Sequence, residues 1–180
     1  MFKKYNFILG RSNTGKSKLL QNFTSLFKNS ILFDFEANLI PMDLPKNTKY
    51  VHTKNLTGVE ETLDNYVLDK IKEEVFVFLD NPDIFYIDKK SDLERLYKKY
   101  EKDKVCFFTT LSLNSLFIKT DEVYNSETHK RFDIEKENCS IFITESYTKN
   151  GEFIFEETNK KHTFLDLIRE YKINQILDEE

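Results

Sequence analysis

The hydrophobic residues of the chain fall into short continuous runs separated by longer stretches in which apolar positions recur with helical spacing. The runs are Tyr5 to Leu9, Ile31 to Phe35, Val75 to Leu79, Val105 to Thr109, Ser140 to Thr144 and Glu152 to Phe155. Such runs predict strands, and runs that are apolar throughout, rather than at every second position, predict strands covered on both faces. Helical segments are expected from about Lys16 to Lys28, Thr57 to Glu73 and Ser91 to Lys102, with a last one from Thr163 to about Leu177. The first gathers Leu19, Leu20, Phe23, Leu26 and Phe27 on one face, and Ser91 with Glu94 forms the S-x-x-E pattern of a capping box. Toward the C-terminus, two strand-like stretches flank Asn150-Gly151, a strong hairpin signal. Residues 112–138 are polar and weakly periodic, which predicts a long loop region with room for one short helix.

Strands alternating with helices imply an α/β fold of three layers around a mainly parallel sheet, with right-handed crossovers and a C-terminal β-hairpin plus helix. No repeat or linker interrupts the pattern, so one domain over residues 1–180 is expected. Composition agrees with a packed globular core. The 17 Phe and 9 Tyr supply the apolar area, while 4 Gly and 3 Pro are too few for a collagenous or low-complexity chain.

A net charge of −4 argues against a wholly basic nucleic-acid-coating protein, though it leaves room for a local basic patch. Cys106 and Cys139 lack metal or CxxC spacing and sit in or beside apolar runs, as buried thiols do. His52, His129 and His162 likewise lack ligand spacing. The apolar stretch at the N-terminus is short and broken by Lys3 and Lys4, which suits neither a signal peptide nor a membrane span. A soluble cytoplasmic protein without membrane partners is expected.

Two of the four glycines, Gly10 and Gly15, lie within one six-residue stretch. With Lys16 and Ser17 they complete G-x-x-x-x-G-K-[ST], between a strand-like run and an amphipathic helix. A chance match somewhere in a chain of this composition has odds of roughly one in a thousand. Backbone N–H groups of such a loop converge on phosphate, the helix start adds its positive dipole end, and Lys16 brings a charge to the β and γ phosphates. Gly10, Arg11, Ser12, Asn13, Thr14, Gly15, Lys16, Ser17 and Lys18 are therefore the expected nucleotide-binding residues, for ATP with Mg²⁺. Ser17 is a ligand candidate for the metal.

A magnesium nucleotide also calls for a carboxylate at a strand end. Asp80 closes the run Val75 to Leu79 and is the first candidate, with a turn-capping role before Asn81-Pro82 as its alternative. Asp34, flanked by Phe33 and Phe35, competes with it. In many P-loop ATPases a Glu directly follows the strand-end Asp, and here that place holds Asn81. Either hydrolysis is absent or the carboxylate comes from elsewhere. Glu36, at the carboxyl edge of the second strand, is the catalytic candidate, against an ordinary solvated strand end.

This order of features resembles the RecA-like ATPase core shared by RecA and RadA recombinases and DnaB-type helicases. Leu32 to Leu39 is similar to the RecA segment that carries its catalytic glutamate, which falls on Glu36; Asp80 falls on the metal-site Asp and Gly10 to Ser17 on the phosphate loop. Phe107 to Thr110 resembles the strand that senses the γ-phosphate, with Thr109 or its neighbour Thr110 where RecA has Gln and other members have Asn or similar; Thr109 is the residue assigned to cofactor binding. The late hairpin resembles the one whose basic residues reach a neighbouring subunit's phosphates, which makes Lys149 a catalytic candidate as well as an ordinary hairpin-turn Lys.

The resemblance implies a homo-oligomeric ring or filament, and single-stranded DNA meeting residues 112–132, including Lys119, Lys130 and Arg131 beside Phe117 and Phe132. The mixed charge of Asp121, Glu122, Glu127 and Asp133 fits a solvated loop equally. The implied function is ATP binding and hydrolysis in DNA recombination, replication or a related motor process, the Lys-, Asn- and Phe-rich composition suiting an AT-rich phage or viral genome. A viral genome-packaging motor, a nucleoside or nucleotide kinase and a nucleotide-gated interaction module are the alternatives. The kinase reading meets the scarcity of arginine, since Arg11, Arg95, Arg131 and Arg169 cannot build a local lid.

Overall fold

The computed structural model describes residues 2–37, 39, 41–53, 56–70, 73–82, 90–112, 116–119, 122–125, 131–147, 153–157 and 160–163, together with Arg169 and Ile173. In chain order the strands are β1 Tyr5–Gly10, β2 Ser30–Asp34, β3 Thr48–His52, β4 Val75–Asp80, β5 Val105–Ser112, β6 Leu116–Lys119, β7 Glu122–Asn125, β8 Arg131–Glu135, β9 Cys139–Tyr147, β10 Phe153–Glu157 and β11 Lys160–Thr163. The helices are α1 Lys16–Thr24, α2 Leu56–Leu68 and α3 Lys90–Lys99, with 3-10 turns at Pro41–Asp43 and Lys136–Asn138.

One sheet has the order β11-β10-β9-β1-β5-β4-β2-β3. Every pairing from β9 across to β3 is parallel, and β10 and β11 extend the sheet antiparallel beyond β9. The three-layer α/β architecture is therefore the one the apolar runs predict. On one face Phe7, Phe33, Val77, Leu79 and Phe107 pack with Val59 and Leu63 of α2 and Leu96 and Tyr97 of α3. On the other, Ile8, Leu32, Phe78, Phe108 and Phe142 pack with Leu19, Leu20 and Phe23 of α1. Burial on both faces is why these strands read as unbroken apolar runs.

Phenylalanines make up half of the buried residues on the α1 face. Phe78 and Phe108 stack at 4.8 Å between ring centroids, Phe23 lies 5.6 Å from Phe108 and 5.5 Å from Phe142, and Phe2 closes the group at 5.3 Å from Phe108. Helix α1 stops short of the expected Lys28 because the Thr24 and Ser25 hydroxyls donate to the carbonyls of Gln21 and Asn22, and the next N–H groups bond three residues back. Phe27 still reaches the core from this tighter turn and stacks on Phe76 at 3.8 Å.

Three sequence expectations change. Strand β3 was not expected, since its half-exposed edge position leaves no apolar run. Residues 112–138, expected as a long loop with a short helix, instead carry the end of β5, a three-stranded antiparallel sheet in the order β6-β7-β8, and a 3-10 turn. Strands of four or five residues are too short to build a clear period, although Arg131-Phe-Asp-Ile-Glu135 does alternate. Thr163 belongs to β11, not to a helix; in the same ladder Lys160 and Lys161 stand opposite Glu157 and Glu156, which leaves their expected solvated face untouched. Most of the expected C-terminal helix and the hairpin turn at Asn150-Gly151 lie outside the described residues. Among the described residues no helix is long and apolar enough to cross a membrane.

The aromatic layer sets a stability expectation. Phe108→Ala should cost about 3–5 kcal/mol, read as a lower urea midpoint at unchanged slope. Met42→Ala, at a side chain 92% exposed, should stay within about 0.5 kcal/mol. Equal losses for the two would contradict this packing.

Candidate phosphate and metal site

The loop between β1 and α1 turns where the backbone enters left-handed conformations at Asn13 (φ 62°) and Gly15 (φ 87°). Asn tolerates that region and Gly prefers it. Helix α1 then starts at Lys16 with no side-chain cap and no acidic residue in its first turn, which leaves its N-terminal N–H groups for an anion. Gly10 is fixed by crowding: a Cβ there would stand 2.1 Å from Thr144 Oγ1 and 2.4 Å from Thr14 Oγ1. Those two hydroxyls bond each other at 2.7 Å, with the Leu9 carbonyl in reach of Thr144 and the Arg11 carbonyl in reach of Thr14; each hydroxyl has one hydrogen, so one donates to the other and the second to its carbonyl, and β9 holds the loop from the side. Lys16 folds back and donates to the Arg11 carbonyl at 3.0 Å, and Lys18 turns outward to Gln21 at 3.1 Å. Arg11, Ser12 and Asn13 form the exposed crest.

Side-chain alternation explains the rest of the site. Two residues beyond Leu32, Phe78, Phe108, Ile8 and Phe142, which share one face, Asp34, Asp80, Thr110, Gly10 and Thr144 stand on that same face at the carboxyl edge, Gly10 and Thr144 one pleat further along than Thr110. Strand β5 lies between β1 and β4, so Thr110 sits beside Asp80. Its hydroxyl donates to Asp80 Oδ1 at 2.9 Å. Asp80 Oδ2 is buried and, among the described residues, has no hydrogen-bond partner. Burial pushes this carboxyl up to about 6, the neighbouring hydroxyls of Ser17 and Thr110 pull it partway back, and the charges of Asp34 and Glu36 add to the rise.

Asp34 is used differently. Its Oδ1 accepts the Glu36 N–H at 3.1 Å, and its Oδ2 accepts the Leu39 N–H and the Tyr50 hydroxyl, both at 2.9 Å. The carboxylate raises the Tyr50 phenol to about 12, after burial as the larger cause. Asp34 thus ties down the chain leaving β2, and of the two candidate aspartates Asp80 is the one with a bare oxygen. Glu36, half-buried at the start of that turn, receives a hydrogen bond from Asn81 Nδ2 at 2.9 Å, and the same amide lies 3.5 Å from Ser17 Oγ.

The structure therefore gathers Ser17, Glu36 and Asp80 around Asn81 beside the loop. Thr109 is not among them. Its side chain points to the opposite face, where its hydroxyl meets Tyr97 at 2.6 Å, and Thr110 takes the place at the site. Alternation decides between adjacent threonines. Lys149 and Lys130 lie outside the described residues; Lys119 ends β6 and Arg131 begins β8. His52 Nδ1 sits 2.9 Å from the Asp34 carbonyl, a structural contact.

No protein-family model matches the sequence, and no curated protein matches it. Among solved structures, the chain matches a KaiC-like protein from the hyperthermophilic archaeon Pyrococcus horikoshii OT3, at 11% identity and a TM-score of 0.50 over 89% of this chain and 81% of that one. It also matches the cytoplasmic domain of the type VII secretion ATPase EccC from Thermomonospora curvata, at 10% identity and a TM-score of 0.52. A structure of EccC ATPases 2 and 3 in complex with a signal sequence peptide gives 9% identity and a TM-score of 0.54. Both EccC matches cover 89% of this chain, but only 23% and 36% of those chains. The likeness is one of fold: the chain shares the α/β fold of these KaiC-like and EccC structures.

The residues at this P-loop suit Mg²⁺ as an ion carried by a nucleotide. Among the described residues no three His, Cys, Asp or Glu side chains form a metal cage, whereas one bare carboxylate oxygen beside a Ser hydroxyl matches an ion that keeps waters and phosphates as its other ligands.

The raised Asp80 pKa makes a pH prediction. Since the folded value lies above the ordinary value near 4, the fold holds an extra proton between about pH 4 and 6; this contribution is complete below pH 4 and is lost as the pH rises through 6. The displacement of about two units corresponds to about 3 kcal/mol. Without nucleotide, Asp80→Asn should be more stable than wild type at pH 7 by up to that amount, with the gain vanishing below pH 4 in urea titrations. A variant less stable than wild type at pH 7 would refute it.

Proposed function

We propose that the chain binds Mg²⁺·ATP at the loop Gly10 to Ser17 and hydrolyses it, as an oligomeric ATPase in DNA recombination, replication or a related motor process. The observation that carries the ATPase reading is Glu36, brought from β2 to within one amide group of Ser17. The loop N–H groups and Lys16, released from the Arg11 carbonyl, bind the β and γ phosphates. Ser17 and Asp80 would hold Mg²⁺, which neutralises charge on the phosphate oxygens. Glu36 orients a water in line with the γ-phosphorus and takes its proton as the new P–O bond forms; the bond to the β-phosphate oxygen breaks, giving ADP and inorganic phosphate. In this reading Thr110 monitors the site from β5, and Lys149 of one copy serves the phosphates of the next. The DNA role rests on the resemblance to RecA-like recombinases and helicases, with residues 112–132 as the contact.

Turnover and nucleotide affinity test the proposal together. Lys16→Ala should lose ATP affinity and turnover, whereas Glu36→Gln should keep affinity and lose about 100-fold or more in kcat. Unchanged turnover in both variants would overturn the ATPase reading. Faster turnover with single-stranded DNA, at the native mass of a ring or filament, is expected for the DNA role; an unstimulated monomer would contradict it. Phosphate transfer to nucleosides in place of water would favour a kinase instead.

A further inference from the structure

Asn81 occupies the position where a catalytic glutamate is commonly found, yet it is bound more tightly into the site than a replaced residue needs to be. Its backbone is left-handed (φ 52°), a conformation Asn accepts, and its N–H donates to Thr110 Oγ1 at 2.7 Å. The Thr110 hydroxyl oxygen lies 2.9 Å from Asp80 Oδ1 and 3.3 Å from Asn81 Oδ1. With Oδ1 on Thr110, Nδ2 faces Glu36 and Ser17. The reverse orientation would set an amide oxygen against the Glu36 carboxylate, so the chemistry fixes this one.

We propose that Asn81 is a positioning residue that aims the Glu36 carboxylate at the attacking water, an inference that rests on the ATPase reading above. Glu36 is held at its backbone and at its carboxylate. Asp34 Oδ1 fixes its backbone N–H at 3.1 Å, and Asn81 Nδ2 fixes its carboxylate at 2.9 Å. Asp34, Asp80 and Glu36 already bring three carboxyl groups to this edge, and the charges of Asp34 and Glu36 raise the Asp80 pKa. A neutral donor at position 81 orients Glu36 without adding a fourth. The division of labour follows: β4 and the residue after it supply the metal carboxylate and the aiming amide, and the turn after β2 supplies the carboxylate that is aimed.

The test uses the full chain with Mg²⁺·ATP. Asn81→Gly removes the amide while permitting the left-handed backbone, and should lower kcat about 10- to 100-fold while the Kd of a fluorescent ATP analogue stays within about twofold. In the double variant Asn81→Gly/Glu36→Gln, turnover should equal that of Glu36→Gln alone, since an amide cannot aim a carboxylate that is absent. Asn81→Asp, equal in shape and equally tolerant of the backbone, should not restore turnover, and it carries the test if the Gly variant fails to fold. A kcat for Asn81→Gly within about twofold of wild type, losses that multiply in the double variant, or full turnover in Asn81→Asp would each overturn the inference. Failure of the underlying reading looks different, because Glu36→Gln would then turn over like wild type.

Discussion

A buried carboxyl with one unsatisfied oxygen organises the molecule's functional edge. Asp80 ends a strand whose other residues are almost all buried, and among the described residues only its Oδ1 finds a partner. An uncompensated charge there opposes folding, and a cation at the same place would reverse the sign. The neighbouring polar groups can be understood from that constraint. Strand β5 inserts between β1 and β4 and brings Thr110 to Oδ1, the loop brings the Ser17 hydroxyl near, and Asp34, the closest alternative ligand, is engaged by two backbone N–H groups and Tyr50.

The aromatic layer beneath makes this arrangement rigid. Phe78, Phe108 and Phe142 occupy the positions two residues before Asp80, Thr110 and Thr144, so stacked rings fix the strands just where the polar row emerges. Close packing at Gly10 extends the same rigidity to the loop. Thr144 reaches across from β9, which continues into the antiparallel extension β10-β11, and thereby links the phosphate loop to the C-terminal part of the sheet.

Much of this was legible in the chain. The parallel strands appear as unbroken apolar runs because helices cover both faces, and the loop is legible because few residue types allow its turns. Glu36 and Asp80 could be named from their places after strands. Thr109 and Thr110 could not be separated, since one step of register exchanges the faces, and the contacts of Thr109 with Tyr97 and of Thr110 with Asp80 reveal which is which. Thr144 carried no signal, because its contact with Thr14 spans 130 residues of chain. Strand β3 and the small β6-β7-β8 sheet escaped because short or edge strands keep one side polar. Asn81 showed as a missing glutamate, and the hydrogen bonds show it as a donor to a glutamate from the next strand.

The central claim is that the Asp80 carboxyl releases its proton to solvent when Mg²⁺·ATP binds. Calorimetric titration of Mg²⁺·ATP into wild-type protein, in buffers of different ionisation enthalpy, reads this directly. With a carboxyl at about 6, binding at pH 6 should release about half a proton, shrinking toward zero at pH 8. Heats independent of the buffer at pH 6, or no binding of Mg²⁺·ATP at either pH, would contradict the account.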